Sequence, residues 1–352
     1  MSTYHGRTLA VLTASLSFAS FILLLPLIYL KRKNLALVTL IASICITALM
    51  QFLNAIIWSD PEGPSHYMGQ GLCDIEVKLS VGFAVTVPGA ILCIYRQIAL
   101  VTDPTTFGIQ PSLAQKRWNK LFEIGFCIAL PLLRMLAVYF VQPNRYSIVG
   151  VTGCVATIDP SWPKYPLVVI WPVLLGCITM VWAAIATWHL VKHLNEIIEL
   201  LGNSQIAKAK KTKLIKIYVL TSALFLIITP LNVYLLWNNI YVDTKTGFLQ
   251  PYSWVRIHSS NWATKTIQSS LSTSDSIPLF GRTTFCVVTA VAFTIGQDCK
   301  VFYTNIWNRL RITRSGNRNT IQKESSDFHT PSTFVDIQIE HNEHPVLELP
   351  PW

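Results

Sequence analysis

Charged residues are scarce in this sequence. Only 13% of its 352 residues are Asp, Glu, Lys or Arg, whereas 51% are hydrophobic and the mean hydropathy is +0.43. Because an ordinary soluble domain carries about 25% charged residues, this composition excludes one. We therefore predict an all-α membrane protein with several spanning helices.

Several chemical signatures are also missing, and each absence argues against a class of function. The sequence has no Cys-x-x-Cys pair and no His/Cys cluster with metal-ligand spacing, so we expect neither a metal site nor a cofactor. A retinal-binding pump needs a lysine deep in the seventh apolar run, but Lys300 stands at the end of that run. His189 is the sole histidine within the apolar runs, which argues against an intramembrane enzyme. A secondary transporter of a small or lipidic solute stays as the alternative function, although no internal repeat supports it.

Seven apolar runs are long enough to cross a bilayer, which takes about 20 residues of helix. The first run is followed, not preceded, by basic residues, so it differs from a signal peptide and should remain as a span. We predict a seven-transmembrane helix bundle over residues 1–303, with spans at about 8–30, 35–58, 72–101, 121–141, 165–190, 214–237 and 278–302.

Basic residues between the spans indicate which side of the membrane each loop faces. With the N-terminus outside, Lys and Arg number 18 in the inner segments and 7 in the outer segments, and three more lie within the spans. The positive-inside rule favours this arrangement, so we expect an extracellular N-terminus and a cytoplasmic tail. The basic residues lie between apolar runs and not on one polar domain. The formal charge of +10 therefore indicates membrane topology and no nucleic-acid partner.

Residues 71–103 have the features of a central helix. Glu76 and Arg96 are twenty helical steps apart, about 30 Å at about 1.5 Å per residue, which matches the thickness of a hydrocarbon core. One helix would therefore carry an acid at one water interface and a guanidinium at the other.

The cysteines predict one disulfide bond. Of eight cysteines, five fall within apolar runs and Cys299 falls at the inner end of the last run, which leaves Cys73 and Cys154 in outer segments. Thiols outside the cell are readily oxidised, so we expect these two to be bonded; two free thiols are the alternative.

Short blocks in several spans resemble a known receptor family. The blocks are Gly71-Leu-Cys-Asp-Ile-Glu76, Cys93-Ile-Tyr-Arg96, Tyr139-Phe-Val-Gln142, Asn144-Arg-Tyr146, Gly153-Cys154 and Gly296-Gln-Asp298 with Tyr303. Together they resemble the fungal a-factor-type pheromone receptors, class D G-protein-coupled receptors, and most of all the mating-type receptors of basidiomycete fungi. The resemblance implies a multi-pass plasma-membrane receptor, not an enzyme. Its implied partners are a secreted, prenylated peptide mating pheromone and a heterotrimeric G protein, and whether it forms a homodimer stays open.

We expect the peptide to bind at the outer mouth of the bundle. Aromatic and cationic groups there can stack on a peptide and hydrogen-bond its backbone, although an interfacial aromatic belt is the simpler alternative. For Glu76 and Lys78 the alternative is a structural role. For Trp254 and His258 the resemblance favours ligand binding. The candidate ligand-binding residues are Glu76, Lys78, Tyr139, Gln142, Arg145, Tyr146, Trp254, His258 and Trp262.

We expect the inner end to couple to a Gα subunit. A positive surface attracts an acidic partner, and it also favours an anionic lipid leaflet, so both roles stay open. Beyond the last span we predict an amphipathic helix at 304–314 and a disordered tail at 315–352. The candidate coupling residues are Lys31, Arg32, Lys33, Arg96, Lys116, Arg117, Lys208, Lys210, Lys211, Lys213 and Asp298.

Overall fold

Long apolar helices make up most of the fold, because a helix satisfies its backbone hydrogen bonds internally where no water is present. The computed structural model describes residues 3–30, 34–59, 67–103, 112–200, 205–245, 251–262, 264–270 and 273–294. Residues 1–293 form one compact unit and residues 294–352 a second, and the following description concerns the first.

The helices follow one another with few other elements between them. Two π-helical turns, Gly125–Ala129 and Tyr165–Val169, connect α4 to α5 and lead into α6. The helices are α1 (Thr3–Leu30), α2 (Leu35–Ile57), α3 (Leu72–Val101), α4 (Leu113–Ile124), α5 (Leu130–Tyr139), α6 (Ile170–Leu200), α7 (Gln205–Lys245), α8 (Trp254–Ile257) and α9 (Thr273–Thr294).

Six helical stretches in the described ranges are long and apolar enough to span a membrane, and Ser276–Val291 is apolar but shorter. Four helices, α1, α4, α7 and α9, begin before their apolar runs, and the local reason is clear at two of them. At α4 the Ser112 hydroxyl caps the helix by accepting from the Gln115 amide at 3.2 Å. At α7 the Lys- and Ala-rich start consists of good helix formers. The predicted end of the seventh span, the amphipathic helix and the tail lie outside the described residues.

Helix α3 is the centre of the bundle, which confirms the prediction for residues 71–103. It packs against α2, α5, α6 and α7 and is the most deeply buried of the long helices. Gly89 lets the fourth span approach closely, because a Cβ there would lie 2.7 Å from the Phe126 carbonyl oxygen. That carbonyl belongs to the first π-helical turn.

A three-stranded sheet covers one end of the bundle, and nothing in the sequence pattern predicted it. Strand β1 (Tyr146–Val149) pairs antiparallel with β2 (Gly153–Val155) and parallel with β3 (Thr266–Ser269). The β1–β2 turn needs positive φ angles at Val151 (63°) and Gly153 (81°). We call this end, with its strands, α8 and the disulfide, the sheet end; Asn34 and Ser112 lie at the opposite end.

The predicted disulfide forms at the sheet end. Cys73 in the first turn of α3 is bonded to Cys154 in β2, with 5.3 Å between their Cα atoms. Trp58, Tyr146 and Ile148 surround the bond in a buried cluster. The bond therefore fixes the β1–β2 hairpin directly over the start of the central helix.

Candidate functional site

An aromatic cluster lies at the sheet end, where α5 ends beside α8. The Tyr139 ring centroid is 4.7 Å from that of His258, 5.4 Å from that of Trp262 and 6.0 Å from that of Trp254. Trp254 stacks on His258 at 3.8 Å, because residues four apart share one face of a helical turn. Four of the predicted ligand-binding residues thus meet in one cluster, and Tyr139 and Trp254 keep 40% and 44% of their surface exposed.

Local capping and one ion pair hold α8 in this position. The Ser253 hydroxyl accepts from the Arg256 amide at 3.4 Å and so caps the short helix. The Arg256 guanidinium in turn donates to the buried Asp159 carboxylate at 2.9 Å. The aromatic rings of α8 are therefore anchored to the segment that precedes α6.

Gln142 links three other candidate residues. Its side chain accepts from the Lys78 ammonium at 3.2 Å and donates to the Arg145 carbonyl at 2.5 Å. Its own carbonyl accepts from the Trp262 indole nitrogen at 2.7 Å. Gln142 is only 1% exposed, and its hydrogen bonds hold these neighbours in place.

Arg145 and Tyr146 occupy different environments. The Arg145 guanidinium makes two hydrogen bonds to the Asp74 carboxylate, at 2.7 and 2.5 Å, and this pairing raises the pKa of Arg145. About one third of each side chain stays exposed. Tyr146 is fully buried, its hydroxyl donates to the Met68 carbonyl at 2.9 Å, and burial raises its pKa.

Glu76 lies deeper, away from the aromatic cluster. It is 5% exposed and accepts from the Asn54 amide, which also donates to the Thr152 carbonyl at 3.0 Å. A side chain on Gly153 would collide with Asn54, so glycine is required there for space as well as for its φ angle. Sequence reasoning missed Asn54, although a polar amide inside an apolar helix is a recognisable signal.

At the opposite end of the bundle, Arg96 is tied to α4. Its guanidinium donates to the Asn119 side chain at 2.8 Å and lies 4.4 Å above the centroid of the Phe122 ring. The neighbouring Gln97 accepts from Asn34 at 2.9 Å and donates to Glu123. Arg96 remains partly exposed, so its charge is accessible at this end.

The remaining coupling candidates are only partly described. Lys116 and Arg117 are exposed on the first turns of α4. Asp298, the predicted partner of a nearby basic residue, and the cluster 31–33 lie outside the described residues. For Lys208, Lys210, Lys211 and Lys213 the structure gives only the helical backbone of α7.

The sheet end is suited to recognition. It offers partly exposed aromatic faces, an ion pair that is about one third exposed and a fixed backbone. Within the described ranges, no three His, Cys, Asp or Glu side chains lie together as a metal site would require.

A family model described as "Pheromone A receptor" matches residues 11–312 of this chain. The chain belongs to the pheromone A receptor family. The match begins within α1 and covers every later described helix through α9. The likeness to fungal a-factor-type receptors is thereby confirmed, and with it the seven-transmembrane class and a multi-pass place in the plasma membrane.

Relatives within this family carry receptor names. The pheromone B beta 1 receptor of Schizophyllum commune is 28% identical over 249 residues, which cover 70% of this chain and 44% of that protein. The pheromone a factor receptor of Saccharomyces cerevisiae is 23% identical over 57% of this chain and 42% of that receptor. Pheromone receptor 1 of Mycosarcoma maydis is 22% identical over 68% of this chain and 65% of that receptor.

The chain spans less than half the length of the Schizophyllum relatives that it matches. The pheromone A receptor family is not a class of enzymes, and these names lend no support to the transporter alternative.

Proposed function

We propose that this chain is a G-protein-coupled receptor for a secreted, prenylated peptide mating pheromone and that it activates a heterotrimeric G protein. The family match over residues 11–312 carries this proposal, because it covers the membrane bundle and not one isolated motif. In this proposal the sheet end faces outward and the end with Arg96 faces the cytoplasm, as the distribution of basic residues predicts.

The ligand side of the proposal rests on the aromatic cluster. Exposed faces of Tyr139 and Trp254 can stack on peptide side chains, and the Arg145–Asp74 pair offers charge at the same end. The prenyl group is apolar, so it would lie between helices or in the lipid itself. Lys78, Gln142 and Tyr146 would then act by positioning these groups, because each of them already makes a hydrogen bond at the sheet end.

The coupling side rests on Arg96 with Lys116 and Arg117. These groups lie at one end of the bundle and present positive charge that would attract an acidic G-protein surface. The basic start of α7 would extend this surface by virtue of its sequence, which places four lysines between 208 and 213.

A matrix of peptides tests the proposal. Each peptide is applied with and without its prenyl group to cells that express this receptor as their sole pheromone receptor, and guanine-nucleotide exchange is measured. We expect exchange with a subset of the prenylated peptides and a weaker response to their unprenylated forms. Solute flux without any exchange, in cells where the receptor reaches the surface, would favour the transporter.

A further inference from the structure

A second polar cluster lies inside the bundle beneath the β1–β2 hairpin. Glu76 of α3 and Asn54 of α2 are hydrogen-bonded there, and Arg282 of α9 attracts Glu76 electrostatically without a direct ion pair between them. One helical turn further from the sheet end, Gln51 of α2 accepts from the Cys286 thiol of α9 at 3.8 Å. The cluster thus connects the consecutive helices α2 and α3 to α9, which is far away in the sequence.

Some hydrogen-bonding capacity in this cluster is unused. Gln51 is 4% exposed and its Nε2 atom has no partner, and the Asn54 Oδ1 atom is also unpaired. Of the Arg282 nitrogens, Nε donates to the Pro278 carbonyl of its own helix at 3.4 Å, while the described residues provide no acceptor for the two Nη atoms. Buried polar groups without partners are costly, and ionisable groups within a membrane are rare unless they serve a function.

The Arg282 side chain is partly exposed. Because Arg282 and Cys286 are four residues apart on α9, they share the face of that helix that contacts Gln51 of α2. Between them, Arg282 and Glu76 present a donor and an acceptor that do not reach each other. A group that bridges the two must accept from the guanidinium and donate to the carboxylate.

A peptide amide has both properties, since its carbonyl accepts and its N–H donates. We propose that Glu76 and Arg282 bind one backbone amide of the peptide ligand, with the amide of Gln51 as a further donor. This inference rests on the proposed function and adds to it an interior subsite that is distinct from the aromatic cluster. A free carboxylate fits less well because Glu76 would repel it, and an amine fits less well because Arg282 would.

A chemical double-mutant cycle tests this subsite. The activating peptide from the matrix above is resynthesised with one backbone amide at a time replaced by an ester, which removes the N–H and weakens the carbonyl as an acceptor. Each ester peptide is assayed for nucleotide exchange on wild type, Arg282→Gln and Glu76→Gln. Receptor at the surface is quantified in parallel, and Lys245→Gln, an exposed cation at the end of α7, is the matched control.

We expect one ester position to weaken the wild-type response about tenfold, and Arg282→Gln to weaken the response to the parent peptide by about the same factor. The ester and Arg282→Gln together should weaken the response about tenfold and not about a hundredfold, because both remove the same contact. In the Lys245→Gln receptor, the ester at that same peptide position should still weaken the response by the full factor of about ten. If Arg282→Gln fails to reach the surface, Arg282→Lys, which keeps the charge, takes its place. This variant should respond as the wild-type receptor does to every ester peptide except the one with the ester at that position.

The outcomes separate this inference from the proposed function. If the loss from the ester and the loss from Arg282→Gln multiply at every ester position, the subsite is overturned and the receptor assignment stays intact. An absence of any response from wild type would instead reject the proposed function before the cycle begins.

Discussion

The Lys164 ammonium lies 2.5 Å from the Asp243 carboxylate, and only 6% and 9% of these side chains are exposed. The Tyr165 hydroxyl donates to the same carboxylate at 2.7 Å. The contact joins the residue before the second π-helical turn to the last turn of α7. Because α7 is the least buried of the long helices, this ion pair is an important restraint on its position at the sheet end.

We expect Asp243→Asn to destabilise the receptor by about 3–5 kcal/mol, because it leaves a buried ammonium without its counter-charge. The measurement is the thermal midpoint of the purified receptor in detergent. The double variant Lys164→Met with Asp243→Leu should recover much of the loss, since it removes both charges and keeps side-chain volume. An unchanged midpoint in the single variant would show that the pair contributes little.

Trp254→Ala and His258→Ala should each weaken the pheromone response by about 1–3 kcal/mol, which is tenfold or more in effective concentration. The reason is that the two stacked rings, with Tyr139, form the exposed aromatic face of the sheet end. Nucleotide exchange is measured at matched surface expression. Trp237→Ala is the control, because this tryptophan is also exposed but stacks on Tyr241 within α7. Equal potency in all three variants would mean that these rings only form an interfacial belt.

Arg96→Ala should abolish nucleotide exchange while leaving pheromone binding within about a factor of three of wild type, a change of under about 1 kcal/mol. The guanidinium is partly exposed at the opposite end of the bundle, where a G protein would dock. Since Arg96 also bonds to Asn119, the variant Asn119→Ala separates the two roles. It removes the tie to α4 and keeps the charge, so it should still couple. Loss of coupling in both variants would assign Arg96 to helix packing.

Much of the bundle could be predicted because apolar runs and paired outer cysteines are local features of the sequence. The strands could not, since β1 to β3 are three or four residues long and depend on the disulfide and on helix ends for their position. The partners of side chains inside the bundle could not be predicted either. Whether Arg282 faces Glu76, or Lys164 faces Asp243, depends on how each helix is rotated in the bundle, and no spacing along the chain specifies that.

The buried Arg134 of α5 provides the last prediction. Its guanidinium donates to the Val168 carbonyl at 3.0 Å and to the Val81 carbonyl of α3 at 2.9 Å. Pro172 has no N–H, so the Val168 carbonyl, four residues earlier, lacks its helical partner and depends on Arg134. Arg134→Met should therefore destabilise the receptor by about 1–3 kcal/mol, the cost of a buried acceptor left unsatisfied.

A second substitution makes this explanation specific. Pro172→Ala restores an N–H that can bond to the Val168 carbonyl, so in the Arg134→Met background it should recover most of the lost stability. In the wild-type background the same change should have little effect, because Val168 already has a partner. Thermal midpoints of the four receptors measure the coupling between the two sites. If Pro172→Ala shifts the midpoint equally in both backgrounds, the stabilising role of Arg134 must lie in its contact with α3 instead.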